Sequence, residues 1–105
     1  MYTIIETPVY ARKAAELLGD DDRESIAAFI AFHPKAGAVI AGSGGIRKLR
    51  WRTTSGGKRG GYRVIYFNQL PRDQIWLLTV FSKRQHTNLS TRELVQIRKA
   101  LDDGS

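Results

Sequence analysis

The sequence predicts a small α+β domain with the element order β-α-α-β-β-β-α, an antiparallel sheet, and helices mainly on one of its faces. Three observations lead there. Apolar residues recur with helical spacing from Pro8 to His33 and again beyond Ser90, whereas between them Ile46 to Arg52 alternates and Gln74 to Phe81 is a short, almost wholly apolar run. Gly, Pro and Asp clusters punctuate the chain where the period changes. The 105 residues show no repeat, low-complexity tract or linker, so residues 1–105 read as one domain able to bury a single modest core.

Tyr2 to Glu6 is short and β-rich, and reads as a strand. Thr7 is placed to cap a helix, and Pro8 suits its first position, where no backbone donor is missed. That helix runs from Pro8 to about Leu18, with Val9, Ala14, Leu17 and Leu18 as its apolar side, and Gly19 ends it. Asp20, Asp21 and Asp22 open a second helix, their charges complementing its dipole. Ile26, Phe29 and Ile30 form its stripe, and His33-Pro34 stops it, because the residue before proline disfavours helix. The pair forms an αα-hairpin.

Pro34 to Gly45 reads as a connector. From Ile46 to Arg52 the pattern alternates, sending Lys48, Arg50 and Arg52 to one face and Leu49 and Trp51 to the other. Thr53 to Gly61 forms a glycine-rich hairpin loop, and Tyr62 to Asn68 returns as a strand. Tyr62 and Tyr66 alternate with Arg63 and therefore face the core. Leu70 to Asp73 turns the chain, and Gln74 to Phe81 is apolar enough to lie inside the sheet, buried on both faces. Ser90 and Glu93 fit a capping box for a last helix whose apolar face is Leu94, Ile97 and Leu101.

The net charge is +7, which bears on partners: nucleic acid, an anionic surface or an acidic protein. The chain has no cysteine, which excludes disulfides and thiol catalysis and is compatible with a cytoplasmic location. The N-terminus lacks the pattern of a signal peptide, and the apolar runs are too short to span a bilayer, so no membrane association is expected. His33 and His86 have no Cys or carboxylate at ligand spacing, so neither a metal nor any other cofactor is expected. Six of the ten acids lie in the first 24 residues, leaving no paired carboxylates in the strand half. The run Gly42-Ser43-Gly44-Gly45 lacks the Gly-Lys-Ser/Thr ending of a phosphate loop and feeds a strand, so it reads as a tight turn.

What remains is positive charge. Arg47, Lys48, Arg50, Arg52, Lys58, Arg59 and Arg63 fall within one hairpin without an intervening acid. Strand alternation lets Lys48, Arg50 and Arg63 converge, with Lys83 and Arg84 at the end of the neighbouring strand. Guanidinium forks and ammonium groups suit phosphate. Such a cluster is a solvated basic face, a site that only binds phosphates, or one that cleaves RNA, where the 2′-hydroxyl is the nucleophile and the protein need only stabilise charge and move protons. Arginine cannot serve as the base; Lys48, Lys83 and, as a proton shuttle, His86 are the candidates. Arg52, Lys58 and Arg59 suit contact with RNA or the ribosome.

The stretches G-S-G-G-I-R-K-L-R-W, G-G-K-R-G-G-Y-R-V-I-Y and L-L-T-V-F-S-K-R together resemble the RelE/ParE toxin superfamily, and within it the HigB-like toxins. The resemblance covers roughly residues 34–90. It implies a RelE-like fold with a twisted antiparallel sheet, two N-terminal helices and a C-terminal helix. It implies an endoribonuclease that cuts mRNA in the ribosomal A site and inhibits translation, with a co-encoded antitoxin, usually a helix-turn-helix protein, as partner. By that resemblance Arg63 stabilises the scissile phosphate, and Lys48, Arg50, Lys83 and Arg84 are the accompanying basic residues. The family tyrosine near the last helix is replaced by Ser90. Two other readings stand beside this one: a ParE-like inhibitor of DNA gyrase, and an RNA-binding module without catalysis.

Overall fold

A computed structural model describes residues 2–53, 61–83 and 90–103. The strands are β1 (Thr3–Glu6), β2 (Ala38–Val39), β3 (Arg47–Trp51), β4 (Tyr62–Gln69) and β5 (Gln74–Ser82), and the helices α1 (Pro8–Leu17), α2 (Asp20–Phe32) and α3 (Thr91–Asp103). The five strands form one sheet in the order β1-β5-β4-β3-β2. The α+β class and the helix–strand order hold, with two refinements. The sheet is mixed, because β1 pairs parallel to β5, Ile4 beside Ile75 and Ile5 beside Trp76, while every other pairing is antiparallel. The expected connector also contributes β2, which is only two residues long and pairs with β3 at the sheet edge. Two residues show too little alternation to register as a strand in sequence.

Burial on the two faces explains the layers. α1 and α2 cover one face, packing Tyr10, Ala14, Ile26 and Ile30 onto Leu49, Val64, Tyr66 and Leu77. α3 covers part of the other, where Leu94, Ile97 and Leu101 meet Ile65, Phe67 and Leu78. β5 lies between β1 and β4 and has buried residues facing both layers, as its apolar run requires. Each fully buried aliphatic side chain of this kind contributes about 1.5–3 kcal/mol. No helix among the described residues is long and apolar enough to cross a membrane.

Three details depart from the sequence reading. Gly19 does not close α1 in a left-handed conformation; its φ is −73°, and it is the N-cap of α2, so the helices are joined by extended backbone. Val9 is exposed, and the buried residue of that turn is Tyr10. Helical spacing favours Tyr10 because it shares a face with Ala14, one turn on. A β-bulge also interrupts β5: Ile65 pairs with Thr79 and Tyr66 with Leu77, leaving Leu78 over. The extra residue turns Leu77 and Val80 to the same core although they are three apart. Thr7 fastens this bulge. Its hydroxyl lies 3.0 Å from the Leu77 carbonyl oxygen and 3.1 Å from that of Leu78, while it accepts the Tyr10 N–H at 3.2 Å to cap α1.

Candidate functional site

The β3–β4 hairpin builds the site. Leu49 is 8% exposed, and Trp51 packs against the same core, so β3 is locked with its odd-numbered side chains toward α1 and α2. Lys48 and Arg50 must then emerge on the opposite face, and both are exposed. A slip of one residue would bury both cations, which makes the register stiffly specified. On β4, Tyr62, Val64 and Tyr66 point into the α1–α2 core, and Arg63 shares the face of Ile65 and Phe67. The register sets Arg50 directly opposite Arg63, and Lys48 opposite Ile65.

These side chains meet in a cleft of about 480 Å³ lined by Ala36, Ala38, Lys48, Leu49, Arg50 and Arg63. Among the described residues no carboxylate lines it. Arg63 is half-buried and donates from Nη1 to the Tyr62 carbonyl at 3.3 Å, which directs its guanidinium along the strand end. The hairpin is closed behind the cleft by Gly61. Its φ of +64° is left-handed, and a Cβ there would collide with the Trp51 carbonyl oxygen. The Gly61 carbonyl in turn accepts the Lys83 N–H at 3.1 Å, tying the end of β5 to the hairpin.

The expected site residues therefore separate. Lys48, Arg50 and Arg63 share the cleft. Lys83 is exposed just past β5 and does not line it; Phe81 pairs with Arg63, so Lys83 is two residues, about 7 Å, further along. Arg52 is exposed immediately after β3. Lys58, Arg59, Arg84 and His86 lie outside the described residues. Arg47 points to the other face, where its guanidinium donates to the carbonyls of Gly37 at 2.6 Å and Lys35 at 3.2 Å, so its work is to hold the connector. Trp51 is a core residue as its alternation predicts. Its Nε1 lies 3.4 Å from the Asp22 carboxylate, and its ring meets Phe29 edge-on at 5.9 Å. Ser90 caps α3, its hydroxyl accepting the Glu93 N–H at 3.2 Å.

Sequence reasoning missed the near wall of the cleft. Ala36 and Ala38 come from the connector, and only their small size marks them in sequence. The wall is held by Tyr66. Its buried hydroxyl donates to the Pro34 carbonyl at 2.9 Å and accepts the Gly37 N–H at 2.9 Å. Burial pushes the Tyr66 phenol above its ordinary value, against the smaller opposing effect of the Gly37 bond, which keeps the donor proton in place. A side chain at Gly37 would strike the Tyr66 ring and hydroxyl. The Gly42–Gly45 run is a tight turn, as read: Ser43 is fully buried, donates to the Ile40 carbonyl at 2.6 Å and accepts the Ile46 N–H at 3.0 Å.

A basic cleft on an α+β domain with this strand order invites comparison with solved structures. No protein-family model matches the chain. Its fold is similar to RelE in the intact Escherichia coli RelBE toxin–antitoxin complex, with a TM-score of 0.60 at 17% identity over 81% of this chain and 100% of that one. It is also similar to a free E. coli RelE carrying two arginine-to-alanine substitutions, with a TM-score of 0.62 at 16% identity over 92% and 96% of the two chains. Isolated E. coli RelE gives a TM-score of 0.57 at 17% identity over 92% and 99%. The chain has the RelE fold.

Proposed function

We propose that this protein is the toxin of a type II toxin–antitoxin pair, a ribosome-dependent endoribonuclease that cuts mRNA in the ribosomal A site and so inhibits translation. The observation that carries the reading is the convergence of Lys48, Arg50 and Arg63 in one carboxylate-free cleft, on a RelE fold. It is the motif positions resembling the RelE/HigB toxins that meet there.

The chemistry follows from the residues. The 2′-oxygen of one nucleotide attacks the adjacent phosphorus, the bond to the next 5′-oxygen breaks, and a 2′,3′-cyclic phosphate and a 5′-hydroxyl result. One group must take the 2′-proton and another return a proton to the 5′-oxygen. Arg50 and Arg63 face each other across the hairpin, where two guanidinium forks can hold the non-bridging phosphoryl oxygens as charge grows on them. Lys48 is the amine in the same cleft, and we assign to its ammonium the proton returned to the 5′-oxygen, while the 2′-proton passes to solvent water. No step as written needs a metal.

The partner follows by likeness. RelE is held in a complex with its antitoxin, and a cognate antitoxin, by resemblance a helix-turn-helix protein, is expected for this chain. The test uses programmed ribosomes. The protein should cut their mRNA, leave free RNA largely intact, and lose activity on Arg63→Ala without loss of fold. Intact mRNA recovered from ribosomes incubated with folded protein would end the reading.

A further inference from the structure

A second cavity opens where α2 ends, lined by Phe29, His33, Pro34, Lys35 and Ala36, with a volume of about 480 Å³. That size falls in the roughly 300–1,000 Å³ range of small-ligand pockets. Its wall is aromatic. The Phe29 ring lies 4.9 Å from His33 and 5.9 Å from Trp51. Phe29 is nonetheless 38% exposed, in a stripe whose other members, Ile26 and Ile30, are fully buried. Core packing therefore accounts for one edge of its ring and leaves a face turned to the cavity.

The position of this cavity gives it meaning. Ala36 lines it and also lines the cationic cleft. The two spaces lie on either side of Ala36 at the sheet edge, where β2 is only two residues long. Aromatic surface beside a phosphate-binding groove is the arrangement by which proteins hold single-stranded nucleic acid, the backbone on cations and a base on a ring. Lys35 adds a cation at the rim.

We propose that this cavity takes one base of a single-stranded RNA whose backbone lies in the Lys48–Arg50–Arg63 cleft, with Phe29 and His33 as the stacking surface. The proposal rests on the reading of that cleft as an RNA site. It restricts the substrate to unpaired RNA, since a base held in a duplex cannot swing out to the sheet edge. It also predicts a preference for a purine at that nucleotide, because stacking grows with ring area.

The test is a binding cycle with short oligoribonucleotides at low salt, in which each nucleotide in turn is made abasic. Phe29→Leu keeps the apolar volume and removes the π-face; thermal unfolding confirms its fold, and His33→Ala provides a second, independent variant. One abasic position should weaken binding to the unaltered protein by roughly 5- to 100-fold, the value of one base–aromatic stack. The same oligomer should bind Phe29→Leu and its intact parent almost equally, because the partner surface is already gone. The salt dependence should be unchanged by Phe29→Leu, since no phosphate contact is lost. Equal binding of intact and abasic oligomers with salt dependence retained would overturn the base pocket and leave the cleft standing. Absence of salt-dependent binding to any oligomer would overturn both. If Phe29→Leu weakened only the complex with the antitoxin, the cavity would be a protein-docking surface and the proposal would be wrong.

Discussion

Replacing Arg50 by glutamine should make the free protein more stable and a worse ligand for RNA. Arg50 and Arg63 are direct cross-strand partners. Their Cβ atoms stand about 5 Å apart, and two unit charges at that separation in water would repel by about 0.8 kcal/mol, an upper limit for groups carried on long side chains. Screening over a Debye length of about 8 Å at physiological ionic strength leaves at most about 0.4 kcal/mol. Removing it should raise Tm by up to about 2–3 °C, given about 4–8 °C per kcal/mol for a domain near this size. On the proposed reading the same substitution removes one phosphate contact. On single-stranded RNA the slope of log K against log salt should fall by about 0.7, so the fourfold step from about 50 to about 200 mM salt should cost about 2.6-fold less affinity than before. Calorimetry or thermal circular dichroism reads the first effect, and fluorescence anisotropy across a salt series reads the second. A lower Tm in Arg50→Gln, or an unchanged salt slope, would refute the argument that this pair is held against its own repulsion for a phosphate.

Other predictions follow from neighbouring residues. Lys48→Arg keeps the charge and loses a transferable proton, so it should retain binding to ribosomes while single-turnover cleavage falls at least about 100-fold with an altered pH–rate profile; cleavage near the original rate would remove Lys48 from the proton path. Gly61→Ala should lower Tm by several degrees and cleavage with it, because the new methyl meets the Trp51 carbonyl at a left-handed φ. Tyr66→Phe strands the Gly37 N–H and should cost about 1–3 kcal/mol in denaturant unfolding, whereas Tyr10→Phe should cost nothing, because the buried Tyr10 hydroxyl has no hydrogen-bond partner. Both phenols are raised above the ordinary value of 10 chiefly by burial, so the folded state keeps protons that the unfolded chain releases. Stability should therefore be whole below pH 10 and fall as pH rises past it, with a shallower fall in Tyr10→Phe.

The sequence carried the order of helices and strands because burial period is a local signal. Ile26 and Ile30 on α2, Leu94 and Ile97 on α3, and the two-faced apolarity of β5 each repeat often enough to be seen. The convergence of Lys48, Arg50 and Arg63 was legible for the same reason: alternation fixes which way each side chain of a strand points, and a hairpin fixes its neighbour. What lay beyond reach depended on contacts distant in the chain. β1 joins β5 over about seventy residues with nothing in either strand to name the partner or its direction. The bulge at Leu78 is visible only when β4 is laid beside it, and Thr7 caps it from the far side of the chain. The wall at Ala36 and Ala38 depends on the Tyr66 hydroxyl reaching the connector. Lys83 sat in a matching motif yet falls outside the cleft, because sequence adjacency to a strand end does not fix distance across the sheet.

The site is also where this chain breaks the rules that the rest of it obeys. Elsewhere several charged side chains are engaged locally: Glu6 grips Arg23 through two bonds at 2.7 and 3.0 Å, Asp22 meets the Trp51 indole, and Arg47 is spent on backbone carbonyls. Arg98 donates to the Gly44 carbonyl at 2.6 Å and lies over the Phe67 ring at 5.1 Å. In the cleft two arginines oppose each other beside a lysine, and the wall supplies only small side chains and no acid. An antiparallel hairpin chosen for stability alone would set a carboxylate across from Arg50. Leaving that position to Arg63 sets two guanidinium-bearing residues directly across from each other, which makes the fold slightly less stable. On the proposed reading, a multivalent anion with several oxygens, such as the phosphodiester of RNA, relieves that repulsion. On that reading the cost of this pair to the fold and the cleft's affinity for phosphate are one property, and Arg50→Gln should change both together and in opposite directions.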